Sequence, residues 1–250
     1  MPIEPNQSGV RWYATWWGKS SIVLGLLIII LAVPFVVVTM RYWWQIKNGQ
    51  TVILQGPWNN NFTLRGSNKD SQVVDRTQLE VTNAPYLGQV SAPLVIVEFV
   101  DFKCPNCLAA APIMQQLVAK YDKKIKIIMR NFPIESIHPG ADELAVVAVC
   151  AARQGRYLPM SDLLFRRFSS LSVPLSSTDI HLLSMDAVVG ETELRDCMAD
   201  PKVLDEVLGD FTAGVGFGVA GTPTFFVNGQ KVEGVVPLTA WQNYLTSLGY

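Results

Sequence analysis

The sequence predicts an α/β domain with a helical insertion, preceded by one N-terminal transmembrane helix. Three observations carry that expectation. An apolar, β-branched run at 93–100 leads into Cys104-Pro105-Asn106-Cys107 and then into a helical segment at 108–121. A second β-rich run at 224–227 is joined by Asn228-Gly229 to a third at 231–233. Finally, no charged residue occurs between Lys19 and Arg41, and most positions at 22–38 are aliphatic.

From the N-terminus, the uncharged stretch 20–40 rises about 31 Å as a helix, matching a hydrocarbon core of about 30 Å. Trp12, Trp16 and Trp17 precede it and Tyr42, Trp43 and Trp44 follow, as interfacial aromatic belts do. Pro34 is tolerable inside a membrane helix. The alternative, a cleaved signal peptide, has an apolar core of roughly 7 to 15 residues and a small-residue cleavage site; this run is longer and no such site follows. The chain therefore divides into a short cytoplasmic tail at 1–19, an anchor at 20–41, a polar stalk at 42–77 and one domain at 78–250. Gly56-Pro57-Trp58-Asn59-Asn60-Asn61 and Gly66-Ser67-Asn68-Lys69 make the stalk turn-rich, with room for one short hairpin. Net charge of −1 and the lack of a basic cluster argue against a nucleic-acid partner. No repeat or dimerisation module is evident, so a monomer is expected.

The four-residue cysteine motif carries the chemistry. The first N–H groups of a helix lack intrahelical partners and lie at the positive end of its dipole, so an anion at Cys104 is stabilised. Cysteines so placed have pKa values lowered from about 8.5 to roughly 3.5–7.5, and the thiolate is the species that attacks disulfides. Cys104 is thus the expected attacking sulfur. Pro105 at the first helical position loses no hydrogen bond, and Asn106 is polar without charge. Half a zinc site is the rival reading, but Cys150, Cys197, His138 and His181 supply no second pair of ligands at short spacing. No metal and no cofactor is expected. An inert structural disulfide is the other alternative, disfavoured by the strand and helix around the motif.

Glu98 lies near the end of the apolar run, where desolvation would raise its pKa and suit it to exchange a proton with Cys107. The competing reading is a carboxylate in water or paired with Lys103. Asn228-Gly229 is a strong two-residue hairpin signal, and Thr222-Pro223 precedes the strand it closes. A last helix is expected at 238–248. Between the two β-rich regions, 139–216 is too long for a loop and reads as helical. Residues 141–152 are alanine-rich with Asp142 and Glu143 in the first turn, Ser176-Ser177-Thr178-Asp179 forms a capping box, and Asp200-Pro201 starts another helix.

On these residues the chain resembles the thioredoxin superfamily and, within it, the membrane-anchored DsbA-like thiol–disulfide oxidoreductases, over roughly 83–250. Glu98 stands six residues before the first cysteine, Pro112 five after the second, and Gly221-Thr222-Pro223-Thr224-Phe225-Phe226 is similar to the family's cis-proline strand. The resemblance implies a thioredoxin fold with a helical insertion over the active site. It implies catalytic Cys104 and Cys107 with Glu98 as proton carrier, and a cis bond at Pro223 beside which the backbone of Thr222 docks an extended substrate. It also implies a structural disulfide between Cys150 and Cys197, whose oxidising requirement places the C-terminal domain outside the cytoplasm. Flanking charges do not decide orientation, since Arg11 and Lys19 face Arg41 and Lys47.

The expected activity is that of a single-pass membrane protein donating disulfides to cysteine-containing secreted or membrane proteins. Its implied partner is a membrane-embedded, quinone-linked oxidase. Two alternatives stay open: a reductase or isomerase supplied with electrons across the membrane, and a non-catalytic peptide-binding module on the same scaffold.

Overall fold

The computed structural model describes residues 16–47 and 73–250. Residues 1–15 of the expected tail at 1–19 and most of the stalk, including both of its turn-rich segments, lie outside the described residues. The chain forms two compact units, Met1–Phe62 and Thr63–Tyr250. In the first, helix α1 spans Trp16–Lys47 and includes Pro34. Aliphatic side chains on it, among them Val23, Leu27, Leu31 and Val37, are exposed. Among the described residues, no helix is long and apolar enough to cross a membrane.

The first element among the described residues of the second unit is a short helix, α2 (Arg76–Leu79), capped by the Asp75 carboxylate. Strand β1 (Tyr86–Gly88) follows, then β2 (Leu94–Val100), α3 (Pro105–Tyr121) and β3 (Ile125–Asn131). Five helices come next: α4 (Ala141–Arg153), α5 (Tyr157–Arg167), α6 (Ser177–Ala187), α7 (Glu191–Ala199) and α8 (Pro201–Gly216). The chain closes with β4 (Thr224–Val227), β5 (Gln230–Glu233) and α9 (Leu238–Ser247). The sheet order is β1-β3-β2-β4-β5. The β2–β3 pair is parallel, with α3 as its crossover, and the other pairs are antiparallel.

Central strand β2 is buried at every position, which explains its unbroken apolar sequence: both faces are covered. Ile96 and Val100 face the core built with α3, α4 and α9. Val95, Val97 and Phe99 face a smaller core with Leu79, Phe132 and Phe226. In that smaller core Arg130 donates to Asp210 Oδ1 at 2.8 Å, its guanidinium 5.2 Å from the Phe99 ring centroid.

The punctuation read from sequence sits where local chemistry puts it. Ser176 and Asp179 form both bonds of a capping box, and Asp200 caps the helix that begins at Pro201. Asn228 and Gly229 both have positive φ, 48° and 88°, as a type I′ hairpin turn requires. At Gly229 a side chain is also excluded by contact, since a Cβ would lie 2.3 Å from the Val74 carbonyl oxygen. The active-site helix starts at Pro105, ahead of the apolar segment at 108–121, because proline fits the first helical position. Strands β1 and β3 complete the sheet beyond the elements assigned from sequence.

Candidate active site

Strand β2 ends at Val100, and a three-residue loop delivers Cys104 to the start of α3. The loop is pinned by Phe102, whose ring packs 5.0 Å from Phe165 and 6.5 Å from Tyr157 in α5. Cys104 N–H donates to the Asp101 carbonyl, and the Cys104 carbonyl accepts Leu108 N–H as the first bond of the helix. Cys104 therefore caps α3, with Pro105 and Asn106 exposed. Its side chain is largely enclosed (6 % exposed), Cys107 is wholly buried, and both thiols are free.

The two sulfurs are chemically unequal. The Cys104 thiol is pulled down to about 5, chiefly by a hydrogen bond from Cys107, with help from Thr222 and from the main-chain N–H groups of Cys107 and Asn106. Burial works the other way and is outweighed. Cys107 is pushed well above the ordinary thiol value by burial, by its bond to Cys104, and by negative charge at Cys104 and Glu98.

The cis Thr222–Pro223 bond lies against this pair. Cys104 Sγ–H donates to the Thr222 carbonyl at 3.3 Å, a contact open only to the protonated thiol. Thr222 Oγ1 is buried without a hydrogen-bond partner in this geometry, so its hydroxyl is free to turn toward the anion once the thiol ionises. A hydroxyl so placed favours the Cys104 thiolate over the thiol. Thr224 Oγ1 ties the same turn by donating to the Gly221 carbonyl at 2.7 Å.

Glu98 pairs in register with Met129 on β3 and Phe225 on β4, and alternation along β2 turns it toward the α3 side. It is 1 % exposed, and burial alone pushes its carboxyl up to about 8. Oε2 has no hydrogen-bond partner, which removes both the solvated reading and the Lys103 pair. Lys103 is also more than a solvated charge, since its ammonium donates to the Pro139 carbonyl. Far from the pair in sequence, Cys150 on α4 and Cys197 on α7 are joined as a disulfide.

Sequence reasoning missed two contributors. Asp101 is a buried carboxylate bonded to His138; the only signal was an acid three residues before Cys104, and its partner lies 37 residues away. Tyr157 buries an unpartnered hydroxyl beneath Phe102, and an α5 tyrosine gives no sign of that from sequence. Among the described residues no cluster of three or more His, Cys, Asp or Glu side chains could hold a metal ion.

A dithiol split in this way at the start of the first crossover helix, facing a cis-proline turn, defines a thioredoxin-fold protein of the thiol–disulfide oxidoreductase class. The family comparison agrees in extent. The chain belongs to the thioredoxin family, whose model matches residues 80–247. Among solved structures it is similar to a thioredoxin-like oxidoreductase from Silicibacter pomeroyi, at 27 % identity and a TM-score of 0.60, covering 70 % of this chain and 98 % of that one. The fold is shared with the thiol-disulfide exchange protein α-DsbA2 of Wolbachia pipientis, at 21 % identity and a TM-score of 0.60, covering 68 % and 90 %. A curated relative is the Na(+)/H(+) antiporter NhaA 3 of Salinispora tropica, 33 % identical over 147 residues, 59 % of this chain and 22 % of that protein. The chain thus spans about a fifth of that relative's length.

Proposed function

We propose that this protein is a membrane-tethered, DsbA-like disulfide donor to cysteine-containing proteins outside the cytoplasm. The observation that carries the reading is the unequal thiol pair, Cys104 lowered to about 5 and Cys107 raised. A low Cys104 pKa stabilises the reduced pair and so favours giving its disulfide away. The anchor rests on the uncharged stretch 20–40, which falls within the 32-residue helix α1.

Each turnover begins with the Cys104–Cys107 disulfide. A substrate thiolate attacks Cys104 Sγ, the Cys104–Cys107 bond breaks, and its electron pair leaves on Cys107 Sγ. Glu98, neutral below about pH 8, supplies the proton that Cys107 takes. A second substrate thiolate then attacks the substrate sulfur of the mixed disulfide, and Cys104 departs as a thiolate. Two substrate thiols are oxidised and the pair is reduced. Thr222 and Pro223 line the position where an extended substrate backbone meets Cys104, and a quinone-linked acceptor in the membrane restores the disulfide.

The test is the equilibrium potential of the Cys104–Cys107 pair in the full chain, titrated against glutathione with Cys150 and Cys197 followed separately. A value well above about −200 mV supports the donor; one near −270 mV, the thioredoxin range, replaces it with a reductase.

A further inference from the structure

Asp101 immediately follows β2, and its carboxylate is fully enclosed, with 0 % of the side chain exposed. It is met by three hydrogen-bonding groups. Oδ1 accepts Lys103 N–H at 2.8 Å, Oδ2 accepts Ile134 N–H at 2.9 Å, and His138 Nδ1 lies 2.7 Å from Oδ2. Ile134 and His138 both belong to the turn between β3 and α4, as does Pro139, whose carbonyl takes the Lys103 ammonium. The turn is therefore fastened to the cysteine loop at three points.

What makes this fastening chemical is where the Asp101 main chain goes. Its carbonyl accepts Cys104 N–H at 3.1 Å, and its N–H favours Cys107 as an anion. One peptide segment thus sets the cap of the helix that carries both cysteines. A carboxylate only accepts, so the His138 contact requires the hydrogen on Nδ1.

Resting on the dithiol reading above, we infer that His138 is a positioning residue for the Cys104–Cys107 pair: by donating from Nδ1 to the buried Asp101 carboxylate, it holds the Asp101 carbonyl that accepts Cys104 N–H and caps the helix carrying both cysteines. Without that donor Asp101 Oδ2 keeps only Ile134 N–H, and the loop relaxes to find another. The reduced pair loses most, because the Cys104 thiolate depends on the main-chain N–H groups of Cys107 and Asn106 at the helix start that this cap positions.

The test uses the full chain with His138→Asn, His138→Gln and His138→Ala. Asparagine places an N–H where Nδ1 stands, glutamine carries its amide one bond further, and alanine removes the donor without adding bulk. Two quantities are read: the pH midpoint of thiolate absorbance at Cys104, and the equilibrium constant of the pair with glutathione. His138→Gln and His138→Ala should raise the midpoint and shift the constant about tenfold toward the disulfide, some 30 mV for a two-electron couple. His138→Asn should stay within about twofold of wild type, well inside that 30 mV. If one of the disruptive variants does not fold, the other gives the same decision. Three wild-type results, or an Asn variant that shifts with the others, overturn the role of His138. A wild-type chain with no thiolate band between about pH 6 and 7 overturns the dithiol reading with it, since Cys104 should be largely ionised there.

Discussion

Replacing Glu98 by glutamine tests the central claim that this carboxyl is buried without compensation. Its pKa is about 8 in the folded chain against an ordinary value of 4.5, so between those values the native state holds a proton that the unfolded state has released. Stability must then fall as pH rises across that window. At about 1.4 kcal/mol per unit, the loss is on the order of 5 kcal/mol across the whole window and about 3 kcal/mol at pH 7. Because the side chain is 1 % exposed, solvent screening does little to reduce these values.

Glu98→Gln keeps the shape and removes the titration. The variant should match wild type below about pH 4.5, exceed it by roughly 3 kcal/mol at pH 7, and gain little more above pH 8. Urea unfolding of the full chain at half-unit pH steps reads this directly, provided Cys104–Cys107 is kept oxidised so that neither thiol titrates. The same variant should slow thiol–disulfide exchange at neutral pH by roughly 10²-fold, the low end for a lost proton carrier. Parallel stability curves for the two chains between pH 5 and 8 would refute the reasoning, since they would mean that Glu98 meets water in the native state.

Three further outcomes are expected. In the reduced wild-type chain the thiolate absorbance should titrate with a midpoint of about 5; it should be absent over that range in Cys104→Ser, and Cys107→Ser should accumulate mixed disulfides with substrate. Removing both Cys150 and Cys197, 47 residues apart, should lower stability by about 4 kcal/mol on a chain-entropy estimate; the Cys104–Cys107 potential should be unchanged, as a glutathione titration of the variant would show. Asp210→Ala strands the buried Arg130 and the Asn131 main-chain N–H that its carboxylate accepts, costing about 3–5 kcal/mol in a urea midpoint analysis.

Local signals made much of the fold legible. The capping box at Ser176, the Asp200-Pro201 start and the Asn228-Gly229 turn act within four residues, so sequence shows them directly. The β2 run was legible because a strand covered on both faces has no polar alternation to disguise it. Strand β3 was harder to isolate, because Lys126, Arg130 and Asn131 interrupt its apolar run. Only its fold partners make sense of them, as with Asp210 on α8, which engages both Arg130 and Asn131. The same limit applies at the site. Cys104 and Cys107 stand out by their spacing and Glu98 by its place in an apolar run and by the family resemblance, whereas the tie from Asp101 to His138 exists only once β3 returns beside β2.

Glu98 and Asp101 show how burial alone does not fix the role of an acid. Both are enclosed, three residues apart, on the strand and loop that lead to the cysteines. Asp101 has donors on both oxygens, two of them main-chain N–H groups, and a carboxylate so satisfied is held in place and holds its neighbours in turn. Glu98 has an oxygen with no partner, so its charged form is penalised and its proton becomes exchangeable near neutral pH. The uncompensated acid is the one whose charge acts on Cys107, as the proposed proton transfer requires. Supplying Glu98 with a donor should stabilise the fold at pH 7 and, on the proposed mechanism, withdraw the proton offered to Cys107, so the chemistry proposed for this site is tied to the stability it forgoes.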